Sequence, residues 1–366
     1  MGAPAREVSS NGNAWLLDSI EKVAAENAVD TVLDGSLHTR SKNDVSVNLT
    51  VTPLLDTQGD AIGCTLILED ITEDKRMRAT MARYMTAEVA EQVLAEGESV
   101  LGGVSQPATI LFSDIKGFTT ISERLGAQDT VSLLNEYFAE MVEIVFQHHG
   151  ILDKYIGDAI MAVFGTPFSS AEDADNAIRV AIQMQQVLNA MNAKRQAEGL
   201  PAFEVRIGIN SGDVVAGNIG SARRMDYTVI GDGVNTAARL ESANKQLGTD
   251  ILISGSTKDL LQGDYILREL DLIRVKGRHA PVPVYEVRGM ASELTPLKEH
   301  RLLETFARGL ACYRARNWAE AIEGFENALE FDANDQPSWL MRQRALHYRE
   351  NPPTEHWDGV WTLLDK

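Results

Sequence analysis

Two apolar, strand-like runs meet at a Gly-Asp pair near the middle of the chain, and this junction constrains the fold more than any other feature. The runs cover residues 151–156 and 159–164, and Gly157-Asp158 between them is typical of a tight hairpin turn. Further strand patterns lie at 108–114, 204–210, 213–216, 226–230, 250–254 and 282–287, and helical patterns at 127–148 and 171–197. Strands and helices in mixed order, with several hairpins, predict an α+β sandwich rather than a parallel doubly wound sheet.

Two carboxylates, Asp114 and Asp158, each end an apolar stretch beside a glycine. Brought together, they would form a hard, all-oxygen site of the kind that Mg²⁺ prefers when it also holds phosphates. The run Ile115-Lys116-Gly117-Phe118-Thr119 leads from a strand into a helix, whose first backbone amides can cradle a polyphosphate. No Gly-x4-Gly-Lys-[Ser/Thr] loop is present, so these features predict nucleotide chemistry outside the P-loop class.

The charge and composition of the chain disfavour some classes of binding partner. The 366 residues carry a formal net charge of −19, which disfavours nucleic acid and anionic membrane surfaces as partners. No apolar run approaches the roughly 20 residues that span a bilayer, and the first residues lack the apolar core of a signal peptide. Two distant cysteines, Cys64 and Cys312, favour a reduced compartment. We therefore expect a cytoplasmic protein without membrane insertion.

The segments before residue 105 differ from the rest of the chain. Residues 1–13 are small and polar, which predicts a disordered tail. Residues 14–74 combine a helical pattern with two alternating strand-like runs and end in Asp-Ile-Thr, and this layout resembles the last half of a PAS domain. Residues 75–104 form a linker that is predicted to be helical, with apolar positions every four residues. That helix would either pack on its own domain or dimerise between a sensor and the catalytic domain.

The last segment, residues 297–366, contains four of the five tryptophans. The spacing of Gly309, Tyr313, Ala321 and Phe325 resembles a tetratricopeptide repeat, and a helix after Pro337 would begin a second one. One and a half repeats are too few for a long binding groove. A helical cap packed on the catalytic domain or on a partner subunit is therefore the favoured interpretation.

Three motifs in residues 105–290 resemble the catalytic domain of the class III nucleotidyl cyclases. They are the run Phe112-Ser113-Asp114-Ile115-Lys116-Gly117-Phe118-Thr119, the turn Ile156-Gly157-Asp158, and the run from Val229 to Glu241. With its flanking segments, the chain is most similar to cyanobacterial adenylate cyclases. The resemblance implies a ferredoxin-like α+β sandwich that makes cyclic AMP and pyrophosphate from ATP by in-line attack of the ribose 3′-hydroxyl on the α-phosphate.

The resemblance also implies a role for each matching residue. Asp114, Asp158 and the Ile115 carbonyl would hold two Mg²⁺ or Mn²⁺ ions. Asn235 would orient the ribose, and Arg239 would stabilise the transition-state phosphate. Lys276 would hold the terminal phosphates. Gly117, Phe118 and Thr119 would add the phosphate contacts already expected from the start of the helix.

Two further positions bear on the choice of base. Lys154 can donate to adenine N1, whereas guanine N1 carries a proton, so this lysine favours ATP. Thr228 can accept from or donate to the adenine 6-position, and a hydroxyl is a less demanding reader than a carboxylate. Threonine here resembles cyanobacterial and bicarbonate-responsive members, which makes bicarbonate stimulation a hypothesis. The alternatives are a guanylate cyclase, which Lys154 disfavours, and an inactive signalling adaptor, which the intact residue set disfavours.

The family resemblance implies that the metal aspartates and the base-reading and transition-state residues of one site come from different subunits. A homodimer is therefore expected, since one chain carries both sets. The PAS-like segment adds an upstream sensor domain or regulatory protein as a further expected partner.

Overall fold

A computed structural model describes residues 13–39, 44–59, 61–73, 75, 103–221, 224–274, 281–291, 297–354 and 357–362. The chain divides into two units, residues 1–83 and 84–366, which are described separately below. All of the predicted tail except Asn13, nearly all of the predicted linker helix, and Lys276 lie outside the described residues.

The first unit is a helix packed on a three-stranded antiparallel sheet of order β1-β2-β3. Its elements are α1 (Ala14–Glu26), β1 (Asp30–His38), β2 (Asp44–Leu55) and β3 (Ala61–Asp70). Leu16 and Val23 of α1 pack on Leu49 and Val51, which alternate along β2 and therefore face the same side of the sheet. The helix and the hairpin β2-β3 were predicted, whereas β1 was not.

The second unit is built on a nine-stranded mixed sheet of order β12-β10-β11-β9-β7-β4-β6-β5, with β8 paired to β7. Its strands are β4 (Val104–Ile115), β5 (Ile151–Ile156), β6 (Ala159–Phe164), β7 (Val205–Ser221), β8 (Arg224–Ile230), β9 (Ile251–Ser254), β10 (Tyr265–Arg274), β11 (Val282–Met290) and β12 (Trp361–Thr362). Its helices are α2 (Phe118–Leu125), α3 (Ala127–Gln147), α4 (Asp173–Ala197), α5 (Asp232–Leu247), α6 (Gly255–Lys258), α7 (Leu297–Arg314), α8 (Trp318–Phe331) and α9 (Gln336–Glu350).

Helices cover both faces of this sheet, as the alternation of β4 requires. Leu111 faces the core beneath α3 and α4, where it packs with Tyr137 and Ile178. Ile110 faces the opposite core, which contains Ala237 of α5. Because neighbouring residues of a strand point to opposite faces, one central strand supports both layers. The predicted α+β sandwich is confirmed.

The C-terminal helices α7, α8 and α9 share a core with α5 and the strands β9 to β11. Leu240 and Leu247 of α5 lie in this core together with Phe306 of α7 and Phe325 of α8. At Gly248, just after α5, an added Cβ would lie 2.3 Å from the Cβ of Gln336, so the two segments are in close contact. The favoured cap interpretation agrees with this packing, whereas the resemblance to a tetratricopeptide repeat stays a prediction.

Two details of the strand prediction were wrong. The predicted strands 204–210 and 213–216 form one strand, β7, because its pairing with β4 continues through Ser211, Gly212 and Asp213. The strand β10 was missed because charged residues interrupt its apolar pattern, and two of these, Arg268 and Asp271, are buried. Their partners lie on α9 and the residue before it, far along the chain, so strand periodicity alone does not reveal them.

Candidate active site

Asp114 and Asp158 lie close together because their strands are neighbours. Asp114 is the penultimate residue of β4, and Asp158 lies in the turn between β5 and β6. β4 and β6 are antiparallel, with Ser113 opposite Ile160, so the end of β4 lies beside this turn. The turn is tight, and Gly157 has a φ of 67°, which a side chain would disfavour. The predicted meeting of the two carboxylates is thus explained by strand register.

The electrostatics of this pair are unfavourable without a cation. Burial raises the pKa of Asp114 to about 7, with further contributions from the charges of Asp158 and Glu241 and from a hydrogen bond with Asp158. Arg206, directly opposite Asp114 on β7, offsets part of this effect. One carboxylate oxygen of Asp158, Oδ2, is buried without a hydrogen-bond partner. A buried, unpartnered carboxylate oxygen costs free energy unless another group compensates it.

This donor set fits a divalent cation that also holds a ligand. Among the described residues, no group of three or more His, Cys, Asp and Glu side chains is arranged to hold a metal ion. Two carboxylates with one oxygen unpartnered leave most of a coordination shell to other oxygens. Mg²⁺ is commonly bound in this way, through one or two carboxylates and the phosphates of a substrate.

The chain turns into a helix directly after Asp114. Ile115 is buried, and Gly117 adopts a left-handed φ of 69° as the residue before α2. Because only glycine takes this conformation without strain, Gly117 fixes the turn that brings Phe118 and Thr119 to the first positions of α2. No side chain caps this end of α2, so its first backbone amides are available to an anionic ligand.

The two candidate base-reading residues lie on neighbouring elements and meet at a third residue. Lys154 is on β5 and Thr228 is on β8. The Thr228 hydroxyl donates to the Asp153 carboxylate, and the Lys154 Nζ lies 3.2 Å from Asp153 Oδ1. The prediction thus named two of these residues but missed Asp153.

Asn235 and Arg239 both lie on α5, one turn apart, and therefore share a helix face. Asn235 is exposed. The Nη1 of Arg239 is buried and has no hydrogen-bond partner. Asn210 anchors the start of the helix by donating to the Gly233 carbonyl at 3.0 Å. The guanidinium group of Arg239 is cationic, so its Nη1 can donate a hydrogen bond to an anionic ligand.

Two charged residues near the carboxylate pair were not predicted to belong to the site. They are Arg206 on β7 and Glu241 on α5. Burial raises the pKa of Glu241, and the charge of Asp158 raises it further, whereas the hydroxyl of Ser242 and the charge of Arg206 lower it. The register of β7 against β4 would have located Arg206, but Glu241 approaches only through helix packing.

The comparisons with known proteins agree with this geometry. Residues 103–289 match the family model described as "Adenylate and Guanylate cyclase catalytic domain". The chain belongs to this family. Residues 2–76 match a model of the PAS fold. The resemblance to the class III cyclases and the predicted PAS-like segment are therefore confirmed at the level of the family models.

Similar proteins include two adenylate cyclases and one solved structure. Adenylate cyclase 1 of Rhizobium meliloti is 36% identical over 58% of this chain and 32% of its own length. The adenylate cyclase of Anabaena cylindrica is 42% identical over 49% of this chain and 36% of its own length. A bacterial light-regulated adenylyl cyclase has a similar fold, with a TM-score of 0.52 at 29% identity over 60% of this chain and 64% of that chain. The chain thus spans about a third of the length of these curated relatives.

The structure also contains a separate cavity of about 370 Å³. Asp250, Glu286 and Arg288 contribute to its walls. None of the predicted site residues lines it.

No described helix is long and apolar enough to span a bilayer.

Proposed function

We propose that this chain is an adenylate cyclase that converts ATP to 3′,5′-cyclic AMP and pyrophosphate. The observation that carries the proposal is the buried, unpartnered Oδ2 of Asp158 beside Asp114, on a domain of the cyclase family. The names of the relatives support the choice of ATP. Catalysis of this type depends mainly on positioning and electrostatics, which suits a site without a nucleophile triad.

In this proposal Asp114, Asp158 and the Ile115 carbonyl hold two Mg²⁺ or Mn²⁺ ions. Bound divalent metal would lower the pKa of the ribose 3′-hydroxyl and offset charge on the leaving pyrophosphate. The amides that begin α2, at Gly117, Phe118 and Thr119, bind the triphosphate.

Helix α5 carries the two residues that we propose to act on the reacting phosphate and on the ribose. The free Nη1 of Arg239 donates to the phosphate oxygens as their charge rises in the transition state. Asn235, exposed one turn earlier, hydrogen-bonds the ribose and orients it for in-line attack. Lys276, outside the described residues, is proposed to bind the terminal phosphates.

ATP is favoured over GTP because of Lys154. Its ammonium group donates hydrogen bonds only, which suits the acceptor N1 of adenine and conflicts with the protonated N1 of guanine. The same argument makes a guanylate cyclase the weaker alternative. Bicarbonate stimulation rests only on the resemblance at Thr228, and an unchanged rate with added bicarbonate at fixed pH would contradict it.

A homodimer with shared sites is part of the proposal. Several apolar side chains close to the site residues are exposed: Tyr155 and Ile156 follow Lys154, while Val215 and Ile230 pair across β7 and β8. Ile156 and Ile230 are each 51% exposed, which is unusual for isoleucine, and a second copy of the chain would cover them. The PAS-like segment would regulate the catalytic domain that follows it in the chain. We also propose that the protein is cytoplasmic.

The direct test incubates the purified chain with Mn²⁺ and either ATP or GTP and measures the cyclic products. We expect cyclic AMP from ATP and much less product from GTP. A mixture of Asp114→Ala and Asn235→Ala chains should recover activity, because one of its two shared sites is intact. No cyclic product from either nucleotide would contradict the enzyme proposal and favour an inactive adaptor. No recovery in the mixture would contradict the shared site alone.

A further inference from the structure

Asp153 is a buried carboxylate to which the proposed mechanism assigns no role. It is 8% exposed and lies on β5 directly before Lys154. The pairing of β5 with β6 shifts register between Leu152 and Lys154, so Asp153 is the extra residue of a β-bulge. Bulges frequently lie next to active sites, where they redirect a side chain. Here the bulge accompanies a carboxylate that points to another strand rather than to solvent.

The carboxylate lies between the two proposed base-reading side chains. Thr228, 9% exposed, donates its hydroxyl hydrogen toward both oxygens of Asp153, at 2.9 Å and 2.5 Å. The Lys154 Nζ lies 3.2 Å from Asp153 Oδ1. One buried group therefore contacts the side chains on two strands that we propose to read the base. We propose that Asp153 is a positioning residue that determines the base specificity of this cyclase by orienting the Thr228 hydroxyl.

The argument rests on the hydrogen count of a hydroxyl group. Thr228 has one hydrogen to donate and two lone pairs that accept. Because the hydroxyl donates to the Asp153 oxygens, the Thr228 hydrogen is committed to Asp153 and only its lone pairs are left for a ligand. A hydroxyl held in this way accepts from the adenine 6-amino group and cannot donate to the guanine 6-oxygen. With its hydrogen held by Asp153, Thr228 can only accept a hydrogen bond from the base, as a carboxylate would.

A purely structural role for Asp153 explains less. A buried threonine hydroxyl can be satisfied by a backbone carbonyl, and burying a carboxylate for that purpose has a large desolvation cost. The contact with Lys154 would also be incidental in a structural role. The two interpretations differ in one measurable respect: a structural defect weakens every nucleotide equally, whereas loss of orientation changes the preference between nucleotides that differ at the 6-position.

The inference rests on the proposed function, and its test compares ATP with purine riboside triphosphate. The two nucleotides share the N1 acceptor that Lys154 would contact and differ only in the 6-amino group. We expect the wild-type chain to prefer ATP in kcat/KM by about tenfold or more, the size of one charge-supported hydrogen bond. In Asp153→Asn the amide can donate to a lone pair of Thr228 and leave the hydroxyl hydrogen free to point at the 6-amino group, so the preference should fall to within about threefold.

A second substitution separates orientation from damage. In a chain with Asp153→Asn, the carboxylate introduced by Thr228→Asp has no hydrogen to donate and can accept from the amide at position 153. The double variant Asp153→Asn with Thr228→Asp should therefore regain the preference for ATP. Thr228→Val should lose the preference, and adding Asp153→Asn to it should change nothing more. If Asp153→Asn does not fold, Asp153→Ser provides the same loss of the carboxylate with less bulk.

Binding measured with 3′-deoxy nucleotides makes the test independent of turnover, because these cannot cyclise. Calorimetry with 3′-deoxy-ATP and its counterpart lacking the 6-amino group should give the same loss of preference in Asp153→Asn. Equal weakening of both nucleotides in that variant, or no preference in the wild-type chain, would overturn the role of Asp153. A wild-type chain that binds with this preference but makes no cyclic AMP would contradict only the proposed function.

Discussion

The second unit contains two clusters of buried charge, and they are organised in opposite ways. At the proposed active site, Asp114 and Asp158 repel each other, and Asp158 Oδ2 has no hydrogen-bond partner. Between the sheet and the C-terminal helices, Arg268 donates two hydrogen bonds to Asp335 at 2.8 Å and 2.9 Å. The difference indicates which charges the fold completes by itself and which it leaves for a ligand.

The C-terminal cluster is extensive and pairs its buried carboxylates with arginines, although burial still raises the pKa of Asp271. Arg268 also contacts Glu286 through Nε at 2.7 Å, and its Nη2 lies 2.6 Å from the same carboxylate without hydrogen-bond geometry. Burial acts to raise the pKa of Asp335, but the hydrogen bond and charge of Arg268 outweigh it, so the pKa is lowered. Arg344 donates to Asp271 at 2.5 Å. A cluster of this kind holds α9 to β10 and leaves little binding capacity for a ligand.

The largest expected effect is the loss of activity in Asp158→Asn. The amide keeps the shape of the side chain but removes a metal-binding charge, so we expect the rate of cyclic AMP formation to fall by about a thousandfold or more. The thermal stability without metal should not fall, because a neighbour of like charge is removed from Asp114. A large drop in melting temperature would mean that the aspartate pair is structural and would remove the contrast between the two clusters.

Arg268→Met should have the largest effect on stability. It leaves Asp335 and Glu286 buried without their main partner, so the free energy of unfolding should fall by about 3–5 kcal/mol. Denaturant unfolding would measure this, and the residual folded protein should still bind nucleotide. A change below about 1 kcal/mol would show that the cluster is not needed to hold the C-terminal helices.

A smaller effect is expected in the pH dependence of the metal-free protein. The pKa of Asp114 is raised to about 7 in the folded state, so folding favours its protonated form. This contribution is fully present below the unfolded pKa near 4 and is lost as the pH rises through 7. Asp114 is partly solvated, so the loss should be about 1–2 kcal/mol. Asp114→Asn should flatten the profile, and Mn²⁺ should stabilise the wild-type chain more at pH 8 than at pH 5.

The smallest effect is expected for an exposed ion pair on the same helices. Arg342 contacts Glu326 at 2.7 Å, and both side chains are partly solvated. Arg342→Ala should change the free energy of unfolding by less than about 1 kcal/mol, because water and salt screen such pairs. It is therefore the matched control for Arg268→Met, since both remove an arginine that contacts the C-terminal helices.

Local patterns predicted the secondary structure around the two carboxylates well. The end of β4 beside Asp114, the glycine turn before Asp158 and the helix that begins at Phe118 depend on neighbours in sequence. Features that depend on distant residues were missed: β10 carries charges whose partners lie near α9, and β7 continues through Ser211-Gly212-Asp213 because β4 pairs with it. Asp153 was missed for the same reason, since its partner Thr228 lies 75 residues away.

The packing of α5 has a practical consequence for protein engineering. One side of this helix lies on β7, where an added Cβ at Gly208 would come 2.1 Å from the Glu241 nitrogen, and the other side faces a core that it shares with α7, α8 and α9. A chain shortened to the family match at residues 103–289 would remove that second support and expose Leu240 and Leu247 to water. We expect such a truncation to aggregate or to hold Asn235 and Arg239 less firmly. Inactivity of the shortened chain would therefore not contradict the cyclase activity proposed for the full chain.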